Sequence, residues 1–416
     1  MITAMATTAE LYAERLKRME AAQALTTYDR VPVVPKMNFF YGSTYGINNF
    51  VSMTDMRNVI PGLKAYLDEF KPDAVWGLAQ YPIPALEALG TQFIHWPGYE
   101  HGIGLDQSFQ VLDGEYMTAD EYGEFILDPS HFILTKWFPR RHKNLAGLSK
   151  INFQDPIEFG LFSELAVLAD PEVKSAIEAL LVAGRSSAQW LDANVLYFET
   201  CIKEGFPLGP TLGQTCPFDM LADNFRGMIN CIMDIKERPD ELHEALDVMT
   251  ELCVKNALGG LKALGHKYLF IPLHMGVDEF MSPDDYAEFY WPGLRALMMA
   301  GIENGLTPYV FCEGNYNTRL EQLCDIPKGK AIYMFEKVDM KKAKDIVGKT
   351  ACICGNLPTA TLMYGTPEKV ADEAKKLLDV CAPGGGFIMD ASIVIDRCPR
   401  ENLHAMFDTT LEYGVY

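Results

Sequence analysis

The chain has 416 residues, 49% of them hydrophobic, enough to bury a large core, and no apolar run approaches the roughly 18 residues of a membrane span. A formal charge of -20 leaves no basic stripe of the kind that neutralises phosphates, which disfavours nucleic acid and poly-anionic substrates alike. Ten cysteines scattered from Cys201 to Cys398 form neither a secreted disulfide framework nor a double Cys-x-x-Cys zinc pattern, and the polar stretch 7–23 is no signal peptide, so we expect a soluble, cytoplasmic protein.

In chain order, a helix over 7–23 precedes an opening strand, Val31-Pro-Val-Val-Pro35, that runs into Asn38, Phe39, Phe40 and Tyr41. A helix over 55–70 and a short buried strand over 73–76 follow. The segment from about 117 to 206 reads as mostly helical, with Asp170-Pro-Glu172 as a helix start before 173–191. Strand character returns at 210–213, followed by a helix start at 217–223 and a long helix over 239–264. The alternation then becomes regular. Strand 268–273 precedes a helix opened by Ser282-Pro-Asp-Asp285, and strand 308–311 precedes a helix through 320. Strand 331–335 leads to a helix through 343, strand 351–354 to one over 367–378, and strand 386–389 to one over 399–411.

Short apolar strands with helices between them imply a parallel sheet buried on both faces. A closed barrel fits better than an open sheet, because no Gly-x-Gly-x-x-Gly follows the first strand and no Gly-x-x-x-x-Gly-Lys-Ser/Thr occurs. The expected fold is therefore α/β, a (β/α)8 TIM-type barrel with additional helices at the N-terminus (1–30) and inserted over about 117–206. Because 416 residues exceed the roughly 250 of a bare barrel, we expect one elaborated domain over 1–416.

In such a barrel the polar residues just after each strand share one face and form the pocket. That rule selects His274 and Asp278, Cys312 and Glu313, Glu336 and Asp339, Asn356, Asp390 and Ser392, with Asn38 and Tyr41 after the first strand. Each has a structural alternative: His274 as a satisfied loop histidine, Asp339 as a helix cap, Cys312 as core. Glu313 heads the set, because a carboxylate emerging from an apolar strand is costly to bury unless paired, metal-bound or protonated. Cys352 and Cys354 are expected to point to opposite faces of their strand and to belong to the core. The triple glycine 384–386 precedes its strand and reads as a turn.

Four stretches at these strand ends resemble the uroporphyrinogen decarboxylase superfamily, and within it the corrinoid-dependent methyltransferases. They are Phe280-Met-Ser-Pro-Asp-Asp285 with Tyr290-Trp-Pro292; Glu336-Lys-Val-Asp-Met340 with Lys342 and Lys344; Gly355-Asn-Leu-Pro358 with Gly365-Thr-Pro367; and Pro399-Arg-Glu-Asn402. The resemblance covers about 205–416, and earlier residues share mainly the layout. It implies a barrel with extra helices without fixing the reaction. Decarboxylases of the family place an arginine-rich segment after the first strand, where this chain reads Met37-Asn-Phe-Phe-Tyr-Gly42. A cavity lined by Asn38, Phe39 and Tyr41, with Glu336, Asn356 and Asp390 as further substrate contacts, would suit a small aromatic molecule.

Thiol-methylating relatives resemble one another in a His-x-Cys-Gly-Asn stretch and a later Cys that bind zinc. Aligned on Gly314-Asn315, Phe311 stands in place of their His, Glu313 in place of their Cys, and Ala391 near the later Cys. That zinc site is broken, and a set of His274, Glu313 and Cys312 is the remaining candidate, zinc and no metal being weighed equally.

The resemblance thus implies the opposite half-reaction. A methyl group would pass from a phenyl methyl ether to the cob(I)alamin of a separate corrinoid carrier protein. A buried Glu313 of raised pKa would protonate the leaving oxygen, with His274 or Asp278 orienting it. The chain has no Asp-x-His-x-x-Gly corrinoid-ligating stretch, so cobalamin is expected on the partner, and a homodimer is compatible with the sequence. The alternatives are methylation of a thiol or pterin from a methylcorrinoid, and a non-catalytic barrel that docks a corrinoid protein.

Overall fold

The computed structural model describes residues 6–99, 102–153, 158–263 and 266–416. Thr7 and Glu10 form a reciprocal capping box that starts the helix Thr8–Gln23. Its Met19 and Ala22 plug the lower end of an apolar cluster that fills the barrel. Arg18 and Arg30 both pair with the buried Asp73, at 2.5 and 2.7 Å. Asp73 also accepts the Val33 N–H at 2.8 Å, tying the N-terminal helix to the first two strand segments.

A small hairpin, β1 (Ile94–His95) with β2 (Gln110–Val111), is antiparallel. The main sheet is parallel and runs β3 (Tyr268–Leu273), β4 (Thr307–Cys312), β5 (Ile332–Phe335), β6 (Cys352–Cys354) and β7 (Phe387–Ile388) in sequence order. Three further segments carry the ring around. Backbone hydrogen bonds join Val34 to Met389, Asp73 to Val33, Val75 to Pro207, Gly209 to Val75 and Gln214 to Phe270. The fold is the expected α/β TIM-type barrel. Segments 31–35 and 207–213 contribute only isolated bridges, because Pro32, Pro35, Pro207 and Pro210 have no N–H to donate to a ladder.

Strand alternation sorts the side chains. Tyr309, Phe311, Ile332, Met334 and Ile388 point into the barrel, while Leu273, Val310, Cys312, Tyr333 and Phe335 face the surrounding helices. Cys352 and Cys354 both lie in the interior cluster. The opposite-face expectation is thereby corrected: residues two apart on a strand share a face.

The helices Pro171–Lys203, Pro239–Ala263, Pro367–Cys381 and Arg400–Tyr413 stand where expected, residue 264 lying outside the described residues. The helix expected through 320 does not form, and a turn leads to a single 3-10 turn at Gln322–Cys324. Side chains take the backbone donors there: Asn315 accepts the Asn317 N–H at 3.1 Å and Asp278 the Thr318 N–H at 3.1 Å. The periodicity did not signal the helix Ile83–Leu89 or the β1–β2 hairpin, whose Val111 lines a cavity at the barrel mouth. Among the described residues no helix is long and apolar enough to cross a membrane.

Candidate active site

The mouth is built from the turn that leaves β3. Asp219, on the short helix Pro217–Leu221, is 0% exposed. It accepts the N–H groups of His274 and Met275 at 2.8 and 3.0 Å and the Tyr290 hydroxyl at 2.7 Å. Three donors on one buried carboxylate fix the direction in which His274 leaves the strand. Burial and the neighbouring Asp223 still push Asp219 up to about 6.

His274 in turn lies between two carboxylates. Its Nδ1 is 2.7 Å from Asp223 and its Nε2 is 3.5 Å from Glu313. Burial alone would lower its pKa, but the hydrogen bonds to Asp223 and Glu313 and the charge of Asp219 raise it to about 11. At neutral pH it is an imidazolium with 42% of its side chain exposed, and so within reach of a bound molecule.

Glu313 follows the last residue of β4. The next residue, Gly314, has φ +95°, and a Cβ there would come within 2.7 Å of Val277. The Gly314 N–H donates to Glu336 at 2.7 Å, so Glu336 holds the turn that presents Glu313. The expectation of a buried Glu313 with a raised pKa is overturned. Its side chain is 47% exposed. Although burial pushes its pKa up, the hydrogen bond and charge of His274, with Lys36 and Lys337, hold it below the ordinary glutamate value. It is a carboxylate that stabilises a proton on His274, not the holder of that proton.

Lys36, which the reading of strand ends passed over, stands at the floor of the mouth. Its Nζ lies 4.2 Å from the centre of the Phe311 ring, 4.7 Å from Phe270 and 5.6 Å from Trp76. Burial pushes it down to about 8 against the charges of Glu313, Asp390 and Asp396. Above it opens a cavity of about 490 Å³ walled by Trp76, Tyr81, Phe109 and Phe270. A second cavity of about 350 Å³ shares Tyr81 and Thr215 with the first and reaches Asp223, His274 and Arg141.

The aromatic lining comes from residues other than those expected. Tyr41 is buried in the outer core against Tyr66 and Tyr197, at 5.1 and 6.2 Å between ring centres. Phe39 packs with Met53, Ile83 and Trp96. Asn38 is buried, and its Oδ1 has no partner among the described residues. Asn356 donates to the carbonyls of Glu336 and Val338, both at 3.0 Å, and with Glu336 and Ser392 lines a separate cavity of about 640 Å³. Asp390 is 0% exposed beneath Lys36, whose N–H it accepts at 3.0 Å, and burial pushes it up to about 8. Asp278 binds Thr318 at 2.7 Å and faces Arg319 at 3.6 Å; its partners hold the loop after β4 rather than Glu313. Asp339 caps the helix Met340–Ile346, as expected.

The candidate zinc ligands do not fit a metal. Cys312 points away from the mouth into the layer beneath the helices, where burial pushes its thiol well up, and both His274 nitrogens already face carboxylates. Among the described residues no three His, Cys, Asp or Glu side chains converge as a metal site.

Comparison with known proteins gives this geometry a context. Residues 210–413 match the uroporphyrinogen decarboxylase (URO-D) family model. Over 99 residues the chain is 34% identical to uroporphyrinogen decarboxylase of Chlorobium luteolum, covering 24% of this chain and 28% of that protein. Over 136 residues it is 31% identical to methylcobamide:CoM methyltransferase MtbA of Methanosarcina acetivorans, covering 32% and 39%. The chain therefore spans well under half the length of these curated relatives. A methyltransferase from Methanosarcina mazei shares the fold, with a TM-score of 0.62 over 96% of this chain and 98% of that one at 18% identity. Over residues 210–413, just under half of its length, the chain is thus similar to the uroporphyrinogen decarboxylase family, and its barrel is the fold shared with the Methanosarcina mazei methyltransferase.

Proposed function

We propose that the chain is a corrinoid-dependent methyltransferase that takes a methyl group from a methoxylated aromatic compound. The observation that carries this reading is the His274 imidazolium, held by Asp223 and Glu313 at an aromatic cavity. The similarity to a methylcobamide methyltransferase supports the corrinoid partner. Met37–Gly42 contains no arginine, and Phe39 and Tyr41 within it are spent on packing, which favours this reading over a decarboxylase of a multiply charged tetrapyrrole.

A reduced corrinoid on a separate protein would supply the nucleophile for the methyl carbon. The work left to this chain is at the other end of the breaking bond. As the ether C–O bond breaks, its electron pair stays on the aryl oxygen, a poor leaving group since phenols have a pKa of about 10. His274 gives that oxygen its Nε2 proton, so that a phenol departs, and Asp223 holds the ring in place throughout. Water returns the proton to His274 afterwards. The aromatic walls orient the ring and exclude solvent.

The test is anaerobic mixing of the protein with cob(I)alamin and a phenyl methyl ether, following loss of the cob(I) absorbance and appearance of the phenol. Turnover with ethers supports the reading. A change with a methylamine or methylthiol but with no ether would replace the substrate class. Methylation of a thiol or pterin from methylcobalamin would reverse the direction.

A further inference from the structure

We infer that Arg141 is the anchor of a carboxylate subsite, so that the substrate is a methoxylated aromatic acid rather than a neutral ether. The inference rests on the demethylation reading for the identity of the ring, but the subsite itself is argued from the arginine.

Arg141 ends the helix Phe138–Arg141 in the inserted helical region and is 2% exposed. Its guanidinium is packed among the rings of Phe93, Trp137 and Tyr116, at 3.6, 4.5 and 4.9 Å from their centres. Nη1 donates to the side chain and carbonyl of Asn224 at 2.8 and 3.3 Å. Nε has no partner among the described residues.

A buried charge without a counterion is expensive, and three of the four other buried arginines among the described residues have one. Arg18 is paired with Asp29 and Asp73, Arg226 with Glu115 and Asp234, and Arg319 with Asp278. Arg15 has no ion pair among the described residues, but it donates to the Gly205 carbonyl and lines neither cavity at the mouth. Arg141 is different because it lines the cavity that also holds His274. The acidic groups there are already engaged: Asp223 with His274, and Asp113 with the Met228 N–H at 3.3 Å. An unpaired guanidinium with its face closed by aromatic rings accepts a planar carboxylate through its edge. The ligand's ring then lies along the shared Tyr81 wall, with its ether directed to His274.

The deciding experiment is calorimetric binding of 3-methoxybenzoate and of its neutral methyl ester to the whole protein without corrinoid. The acid is expected to bind roughly 10- to 100-fold more tightly than the ester, as charge-assisted hydrogen bonds allow. Arg141→Gln is expected to abolish that preference and Arg141→Lys to retain part of it. Equal affinity of acid and ester for the unmodified protein overturns the subsite without need of a variant. So does failure of both to bind, or an acid preference that survives in R141Q. Methyl transfer, assayed separately, divides the two ideas. Demethylation of neutral ethers that is indifferent to R141Q leaves the reaction standing without the subsite. Arg141-dependent binding without transfer leaves the subsite standing without the reaction.

Discussion

His274 Nε2 faces Glu313 Oε2 at 3.5 Å, and this pairing places the proton on the imidazole and the negative charge on the carboxylate. The exchange of roles has a kinetic consequence. His274→Gln, which removes the proton donor, is expected to lower kcat for ether cleavage by about 10²- to 10⁴-fold with little change in KM. Glu313→Gln leaves the donor in place but removes one of the carboxylates that raise its pKa. The basic limb of its pH–rate profile should therefore lie at lower pH than in the unmodified protein, where His274 stays protonated until the pH approaches about 11. Coincident limbs in the two profiles would show that the pairing does not set the proton.

The route from sequence to this site was uneven for physical reasons. All eight strand segments are local apolar runs bounded by turns and caps, so they could be read from neighbours in the chain. The rule that the residue after a strand faces the mouth found His274 and Glu313. Applied evenly it would also have found Lys36, which follows Pro35. Asp219 and Asp223 lie on a helix about 50 residues before His274, and nothing local signals that they meet it. Tyr81 and Phe109 come from a stretch with no clear period, and Arg141 from the inserted helical region, whose spacing does not signal which residues reach the mouth. The charge of Glu313 was misjudged because it depends on His274, a neighbour in space and not in sequence.

Asp390 supplies a test of the buried floor. Its folded pKa of about 8 stands above its ordinary 3.8, so the folded state binds the extra proton between those values. Stability must then fall as pH rises through that window, at up to about 1.4 kcal/mol per pH unit. Asp390→Asn keeps the oxygen that accepts the Lys36 and Ala391 N–H groups and cannot ionise. Its melting temperature should exceed that of the unmodified protein by a margin that grows from pH 5 to pH 8. Lys36, depressed to about 8 from 10.5, acts above that range. A constant margin would show that Asp390 is ionised throughout.

Cys312 separates a core role from a metal role. Its thiol packs beneath the helices, so Cys312→Ala should leave kcat unchanged and destabilise the fold by about 1 kcal/mol, measured by urea titration. Loss of activity together with loss of a bound metal would restore the ligand reading.

Tyr81 lines both cavities and is 37% exposed. Tyr81→Ala should raise KM for an aromatic ether by up to about 10-fold, the range of one aromatic contact, while leaving the melting temperature nearly unchanged. An unaltered KM would place the substrate elsewhere.

The most direct test of the account compares the unmodified protein with His274→Gln in single-turnover reactions with cob(I)alamin and a methoxylated aromatic acid. Stoichiometric loss of the cob(I) absorbance with release of one phenol per methyl transferred is expected, slowed at least about 100-fold in the variant. Equal rates in the two proteins, or no reaction with any aryl methyl ether, would contradict it.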